Sequence, residues 1–96
     1  MPRRDRVQIV ADILAAAKEG AKQTQIMYRA RLSYKFLKEY MERLLKEGLL
    51  TKDETARKYV TSKKGLQYLS SFDYLKRSIT IVESKKARLR ELVQEE

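Results

Sequence analysis

The feature of this sequence that most constrains the fold is a continuous helical pattern over the last third of the chain. Thr61 or Ser62 can cap such a helix, and no proline occurs between Ser62 and Glu96. Apolar residues recur there at alternating steps of four and three, a repeat typical of a coiled coil. This seam consists of Tyr68, Phe72, Leu75, Ile79, Val82, Leu89 and Val93, with Lys86 in one seam position. A helix of about 30 residues is about 45 Å long, so it must project beyond the rest of so short a chain. The near end of this helix is expected to pack back on the rest of the chain through Leu66, Leu69 and Phe72. Its outer half can bury the seam only against a second chain, which predicts a homodimer.

The charges on and beside the seam favour an antiparallel pair of helices. A parallel pair would bring both Lys86 side chains into one seam layer, which costs stability. An antiparallel pair can instead be centred between Ile79 and Val82. In that register Lys76 lies near Glu83 of the second chain, and this opposite-charge pair occurs twice. We therefore expect an antiparallel two-stranded coiled coil.

Two short helices are predicted before residue 31. Apolar residues recur at helical spacing from Asp5 to Lys18, and Asp5 is suited to cap this first helix. Gly20 follows in a place where helices often end in a left-handed residue. A second helix is expected to begin near Thr24, another good capping residue, and to run through Ala30.

A tight connection over residues 31–33 leads into a third helix. Ser33 can cap this helix, which is expected to run from Tyr34 to Glu47 and to stop at Gly48. The apolar positions that should form its inner face are Leu37, Met41, Leu44 and Leu45. Three short helices with these connections predict a small trihelical core.

A hairpin is predicted between the third helix and the long one. Residues 49–52 and 58–61 are strand-like, and residues 53–57 form a polar turn between them. A two-stranded hairpin is marginal alone, so it must pack on the helices. The order predicts a winged helix-turn-helix of mostly helical α+β class. We expect this head to cover residues 1–67 and the dimerisation helix to cover residues 68–96.

The charge of the chain is concentrated in the predicted head. The whole sequence has 22 Lys and Arg against 13 Asp and Glu, for a net charge of +9. The head holds sixteen of the basic and eight of the acidic side chains, a net charge of +8. Residues 21–38 contain no acidic side chain at all. A local excess of this kind favours a face that binds a polyanion.

The basic residues coincide with the part of a helix-turn-helix that meets nucleic acid. A recognition helix contacts base edges with its N-terminal residues, while lysine and arginine neutralise phosphates. The candidate DNA-binding residues of this segment are Gln25, Arg29, Arg31, Ser33, Tyr34, Lys35 and Lys38. On the wing, Arg57 and Lys58 either reach a phosphate or the minor groove, or are charged simply because a hairpin tip is exposed. Arg3, Arg4 and Arg6 form either a flexible arm or a frayed basic terminus.

The composition excludes several kinds of chemistry. Histidine and cysteine are absent, which excludes disulfides, thiolate nucleophiles, imidazole bases and metal sites that need those ligands. The carboxylate pairs Asp53-Glu54 and Glu95-Glu96 lie in a turn and at the end of the chain, with no phosphate-binding loop near them in sequence. We expect no catalysis, no cofactor and no small-molecule substrate. No signal peptide or membrane span is evident, so a cytoplasmic, nucleoid-associated protein is expected.

Two groups of residues indicate a family. The first runs from Thr24 to Tyr34 and continues as Leu37-Lys38-Glu39-Tyr40, Leu44 and Gly48-Leu49-Leu50. The second consists of Tyr59-Val60-Thr61, Lys64-Gly65 and Tyr68-Leu69. Together they resemble the small, basic archaeal winged-helix proteins that bind DNA. The resemblance implies a homodimer joined by an antiparallel coiled coil, with a winged helix-turn-helix at each end. It also implies a role as a chromatin protein or a transcription regulator.

The sequence thus predicts a non-catalytic protein that binds double-stranded DNA with its third helix in the major groove. Base reading by that helix is expected to be weak, because it contains no asparagine and Arg43 lies far along it. Two alternatives stay open. One is a winged helix that binds RNA. The other is a protein-interaction module whose head docks an acidic partner.

Overall fold

The helices begin close to the residues that the sequence indicates as caps. A computed structural model describes residues 4–93. Its helices are α1 (Arg6–Ala16), α2 (Gln23–Ala30), α3 (Tyr34–Lys46) and α4 (Lys63–Val93). The Asp5 carboxylate accepts the backbone N–H of Gln8 at 2.8 Å, and the Ser33 hydroxyl accepts that of Phe36 at 3.3 Å. Both side chains satisfy an N–H group that the first turn of a helix leaves unpaired, so these two predicted caps are confirmed.

The start of α2 differs from the prediction. The helix begins at Gln23, so Thr24 lies inside its first turn and does not cap it. The capping position is occupied by Lys22, whose backbone N–H donates to Oε1 of Gln25 at 2.9 Å. The glutamine side chain therefore reaches back to the capping residue, which makes a hydroxyl at that position unnecessary.

The wing is a hairpin with a third, very short partner. Strand β1 (Leu50–Asp53) pairs antiparallel with β2 (Lys58–Thr61). Ala21, in the connection between α1 and α2, forms an isolated bridge with Tyr59 through two backbone hydrogen bonds of 2.8 and 2.9 Å. This bridge anchors the wing to the helices, as the marginal stability of a lone hairpin requires.

Thr61 and Ser62 have separate roles where the wing meets α4. Ser62 caps α4, because its hydroxyl accepts the backbone N–H of Gly65 at 3.1 Å. Thr61 is buried and donates its hydroxyl hydrogen to the carbonyl oxygen of Leu14 at 2.6 Å. Its backbone N–H donates to the carbonyl of Ala17. Thr61 therefore joins the end of the wing to the C-terminal end of α1.

The core lies between α1, α2, α3 and the first residue of β1. The largest fully buried side chains are Ile13, Leu14, Ile26, Leu37, Leu44 and Leu50. On α3, Met41 is also buried, whereas Leu45 is only partly buried at the margin of the core. The predicted inner face of the third helix is thus confirmed apart from this one marginal position.

The first turn of α4 is held tightly against the head. Gly65 is buried, and a Cβ atom added to it would overlap the carbonyl oxygen of Leu49 and lie 2.6 Å from Cγ2 of Thr61. The Nζ atom of Lys64 donates to the carbonyl oxygen of Glu47 at 2.8 Å, at the C-terminal end of α3. This lysine stabilises a helix end that carries partial negative charge.

Farther along, the face of α4 that contacts the head differs in part from the predicted one. Tyr68 and Leu69 pack against the core, and the Tyr68 hydroxyl donates to the carbonyl of Val7 at 2.9 Å. Leu66 is exposed, so the prediction that it packs on the core is wrong. The reason is that Gly65, Tyr68 and Leu69 share the face of α4 that meets the head.

The outer part of α4 projects away from the head, as its length predicts. The described residues extend over 66 × 27 × 19 Å. From residue 79 to residue 93 every side chain is exposed, including the seam residues of that segment. Within residues 4–93, no helix has the length and apolar content that crossing a bilayer requires.

Candidate nucleic-acid interface

The turn between α2 and α3 presents the N-terminus of α3 to solvent. Arg31 adopts a left-handed conformation with φ 54° and ψ 51°, and its N–H donates to the carbonyl of Tyr28. The next residue, Leu32, is half-buried against the core and donates its N–H to the carbonyl of Met27. The chain thus reverses within three residues, and Ser33 starts α3 directly after the reversal.

The first turns of α3 separate a buried face from a basic exposed face. Leu37 is fully buried, while Tyr34, Lys35 and Lys38 are exposed, Tyr34 by 59%. Because Ser33 accepts a backbone N–H through its oxygen, its hydroxyl hydrogen stays available to donate. The partial positive charge of the helix N-terminus adds to that of the lysines, so this end of α3 suits a phosphate.

The net excess of positive charge on α3 lies in its N-terminal part. Glu39 and Glu42 follow Lys38 within about one turn and are exposed on the same helix. Residues 4–93 contain two ion pairs, Arg4–Asp12 and Lys52–Glu54. None of the lysines and arginines among the candidate DNA-binding residues takes part in either pair. Their charges are therefore not neutralised by a described neighbour.

Two predicted residues of α2 have structural contacts in addition to their exposure. The Nη1 atom of Arg29 donates to the carbonyl oxygen of Ala16 at 3.0 Å, where α1 ends. A guanidinium has five N–H donors, so the others remain for a phosphate. Gln25 uses its carbonyl oxygen to cap α2, which leaves its amide hydrogens available. Both residues can contact DNA only with the donors that these bonds leave over.

Arg4 braces the turn, a role that the sequence does not indicate. Its guanidinium donates to Asp12 at 2.8 Å, to the carbonyl of Ala30 at 2.5 Å and to the carbonyl of Arg31 at 2.8 Å. These carbonyls lie at the C-terminal end of α2, where helical carbonyls lack partners. Arg4 is thus neither a flexible arm nor a frayed terminus. Arg3 lies outside the described residues, as does the Glu95-Glu96 pair.

The wing places its two basic residues at an exposed tip. Arg57 has φ 53°, in the left-handed region, and Lys58 begins β2 directly after it. The Asp53 carboxylate accepts two backbone N–H groups of the turn, at 3.1 and 3.2 Å. This carboxylate fixes the turn, and the cations beyond it remain exposed.

Two exposed aromatic side chains lie on the helices that carry the basic residues. Tyr28, on α2, is 79% exposed, and Phe36, on α3, is 58% exposed. Phe36 lies in an open groove between α1 and α3 that Arg6, Tyr40 and Arg43 also line. Neither Tyr28 nor Phe36 was among the predicted site residues, since helical spacing alone does not distinguish an exposed aromatic residue from one at the edge of the core.

Comparison with known proteins agrees with this architecture. Residues 3–80 match the family described as winged helix-turn-helix. The chain is similar to the solved structure of Sso10a-2, a DNA-binding protein from Sulfolobus solfataricus, with a TM-score of 0.81 and 26% sequence identity. That similarity covers 97% of this chain and 100% of the other. No curated protein matches the sequence. The chain belongs to the winged helix-turn-helix family.

Proposed function

We propose that this protein binds double-stranded DNA without catalysing a reaction. The observation that supports this most is the exposed N-terminus of α3, where Tyr34, Lys35 and Lys38 surround a helix end directly after the tight turn. In a helix-turn-helix this end of the second helix enters the major groove. Sso10a-2, similar over nearly the whole chain, is itself a DNA-binding protein.

Each element of the head has a role in the proposed complex. Tyr34, Lys35 and Lys38 face the duplex from α3. The Arg31 side chain and the remaining donors of Arg29 contact the phosphate backbone, and Ser33 and Gln25 donate further hydrogen bonds. The wing residues Arg57 and Lys58 contact a flanking phosphate. A helix of this size fits the wide major groove of B-form DNA, whereas the major groove of A-form RNA is too deep and narrow, which favours DNA.

The proposed binding is only weakly dependent on base sequence. Lysine side chains dominate the exposed start of α3, and lysine supplies phosphate contacts more readily than the bidentate base contacts of Asn, Gln or Arg. Arg43 is the arginine of α3, and it lies in the C-terminal half of that helix. This composition suits a protein of chromatin or a regulator that relies on DNA shape.

The proposed functional unit is a homodimer formed by the dimerisation helix, residues 68–96. Its exposed seam consists of Leu75, Ile79, Val82, Leu89 and Val93, with Phe72 half-buried and Lys86 in one layer. An exposed apolar stripe of this length, interrupted at Lys86, is costly in water and indicates an interface. An antiparallel pair places the two heads, residues 1–67 of each chain, at opposite ends of the coil.

A pair of charge-reversal variants tests the proposed DNA interface. The variant Lys35→Glu/Lys38→Glu should weaken duplex binding by about 100-fold or more at low salt, because two phosphate contacts become repulsive. The matched control is Arg77→Glu/Lys85→Glu, which makes the same change in net charge on exposed residues of α4. Fluorescence anisotropy with a labelled duplex gives the affinities, and circular dichroism and light scattering check the fold and the dimer. Equal losses in both variants would place the interface elsewhere.

Single cysteines test the antiparallel register, since the chain has no native cysteine. Ile79→Cys lies close to its own copy when the pair is centred between Ile79 and Val82, so a short bismaleimide should join two chains. Lys86→Cys lies about 16 Å from its copy along the coil, at 1.5 Å per residue, and should not be joined. Efficient cross-linking at Lys86→Cys together with failure at Ile79→Cys would exclude this register.

A further inference from the structure

We infer that a groove between the N-terminal end of α1 and the middle of α4 receives the C-terminal end of α4 from a second copy of this chain. This inference rests on the proposed dimer, and it adds a part of the head to the dimer interface. The apolar walls of the groove are Val7 from α1 and Phe72, Leu75 and Ile79 from α4. Val7 is 47% exposed and Ile79 is 55% exposed, so both present apolar surface to solvent.

The groove is a continuation of the seam with one additional wall. Phe72, Leu75 and Ile79 are successive seam residues of α4, and Val7 lies beside them. The Tyr68 hydroxyl donates to the Val7 carbonyl at 2.9 Å, which fixes the start of α1 against α4. Because this wall comes from the same chain, the groove exists before any second copy binds.

The antiparallel register brings a matching segment into the groove. With the pair centred between Ile79 and Val82, Phe72 lies opposite Leu89 of the second copy. One layer farther, Tyr68 lies opposite Val93 of the second copy. Leu89 is 62% exposed and Val93 is 71% exposed in the single chain, and both lie on the projecting part of α4. The exposed apolar residues Leu89 and Val93 of one copy therefore lie opposite the groove of the other copy in the dimer.

Charge complementarity supports the same occupant. One side of the seam carries residues that recur at intervals of seven, namely Leu69, Lys76, Glu83 and Arg90. Leu69 packs against the head core, so this is the side on which the head lies. Arg90 of the second copy then approaches Asp5, which lines the groove, and Glu83 of the second copy approaches Lys76.

The groove also adjoins the candidate DNA interface. Arg4 lines the groove, and its guanidinium donates to the carbonyls of Ala30 and Arg31 at the helix-turn-helix turn. A helix end seated in the groove therefore contacts the element that braces the turn. The two heads of the dimer are fixed relative to the coil in this arrangement, which sets the separation of their DNA-binding surfaces.

A two-cysteine variant tests the groove directly. In Val7→Cys/Val93→Cys a short bismaleimide should join two chains with high yield. The same cysteines cannot be joined within one chain, because Val7 lies beside Phe72, Leu75 and Ile79, and even Ile79 is about 21 Å from Val93 along α4. The control Val7→Cys/Ser84→Cys should give no cross-linked dimer, since Ser84 of the second copy is about 14 Å along the coil from Val93 and faces outward.

A second variant measures the contribution of the groove to dimer stability. Val7→Asp should weaken the dimer by about tenfold or more, because it places a charge in an apolar contact. The fold of the single chain should persist, since an acidic residue in the first turn of α1 favours that helix. Light scattering against concentration gives the dissociation constant. A dimer that neither cross-links through Val7→Cys nor weakens in Val7→Asp would overturn the groove while leaving the coiled coil intact. A monomeric wild type would overturn the proposed dimer itself, and the groove with it.

Discussion

Gly65→Ala should destabilise the protein, although it replaces glycine by the best helix former inside a helix. In an exposed helix the same change is worth about 0.8–1.0 kcal/mol in favour of alanine. Here the added Cβ would overlap the carbonyl oxygen of Leu49, a backbone atom that cannot rotate away. It would also lie 2.6 Å from Cγ2 of Thr61, which is buried. The first turn of α4 must therefore move away from the head.

The size of the effect follows from what that movement disrupts. Overpacking of this kind costs about 1–3 kcal/mol. The displaced turn also strains the hydrogen bonds from Ser62 N–H to the Leu49 carbonyl and from Lys64 to the Glu47 carbonyl. Each is worth about 1 kcal/mol. After subtraction of the helix-propensity gain, we expect a net loss of about 2 kcal/mol in the free energy of unfolding.

Urea unfolding followed by circular dichroism measures this loss. All samples must have the same chain concentration, because the stability of a dimer depends on it. Ser70→Ala is the matched control, since Ser70 is exposed on α4 outside the seam and the substitution should be neutral or slightly stabilising. If Gly65→Ala proves as stable as the wild type or more so, the close approach of α4 to Leu49 is wrong.

Two further substitutions test the contacts that join α1 to the rest of the head. Burial, followed by the nearby Asp5 carboxylate, raises the pKa of Tyr68 above its ordinary value of 10.0, so the neutral phenol is favoured in the folded state. The hydrogen bond to Val7 should make the wild type about 1 kcal/mol more stable than Tyr68→Phe at neutral pH. This advantage should persist up to pH 10 and decline as the pH rises farther, and a difference unchanged at higher pH would refute the contact. Thr61→Val retains the shape of the side chain but removes the hydroxyl that donates to the Leu14 carbonyl. It should lower the free energy of unfolding by about 1–2 kcal/mol, measured by thermal or urea unfolding. An unchanged free energy of unfolding would mean that this bond does not anchor the wing.

Local sequence signals predicted the helices, and the reason is visible in the caps. Asp5 and Ser33 each bond to an N–H three residues away, so the whole interaction lies within one short segment of sequence. The period of the apolar residues likewise depends only on neighbours along the chain. The basic cluster at the start of α3 was predicted for the same reason, as the turn and the lysines are adjacent in sequence.

Contacts between distant residues could not be predicted in this way. The Ala21–Tyr59 bridge consists of backbone hydrogen bonds, which leave no signature in the side chains. In the sequence, Lys64 is a cation in the first turn of α4, where it opposes the dipole of its own helix. In the structure it donates a hydrogen bond to the carbonyl of Glu47, at the C-terminal end of α3. The exposure of Leu66 depends on how α4 is rotated against the head, and Gly65 fixes that rotation by contact with Leu49. Helical period alone does not determine such a rotation.

The salt dependence of binding to a short duplex tests the central claim most directly. The exposed cations assigned to phosphates in one head are Arg29, Arg31, Lys35, Lys38, Arg57 and Lys58. Six phosphate contacts predict a slope of about −5.4 for the logarithm of the binding constant against the logarithm of salt concentration. On a duplex long enough for a single head, affinity should fall about 1,800-fold between about 50 and 200 mM salt. A slope near zero, or no binding to the duplex at the lower salt, would contradict the proposal that this head binds DNA through its basic face.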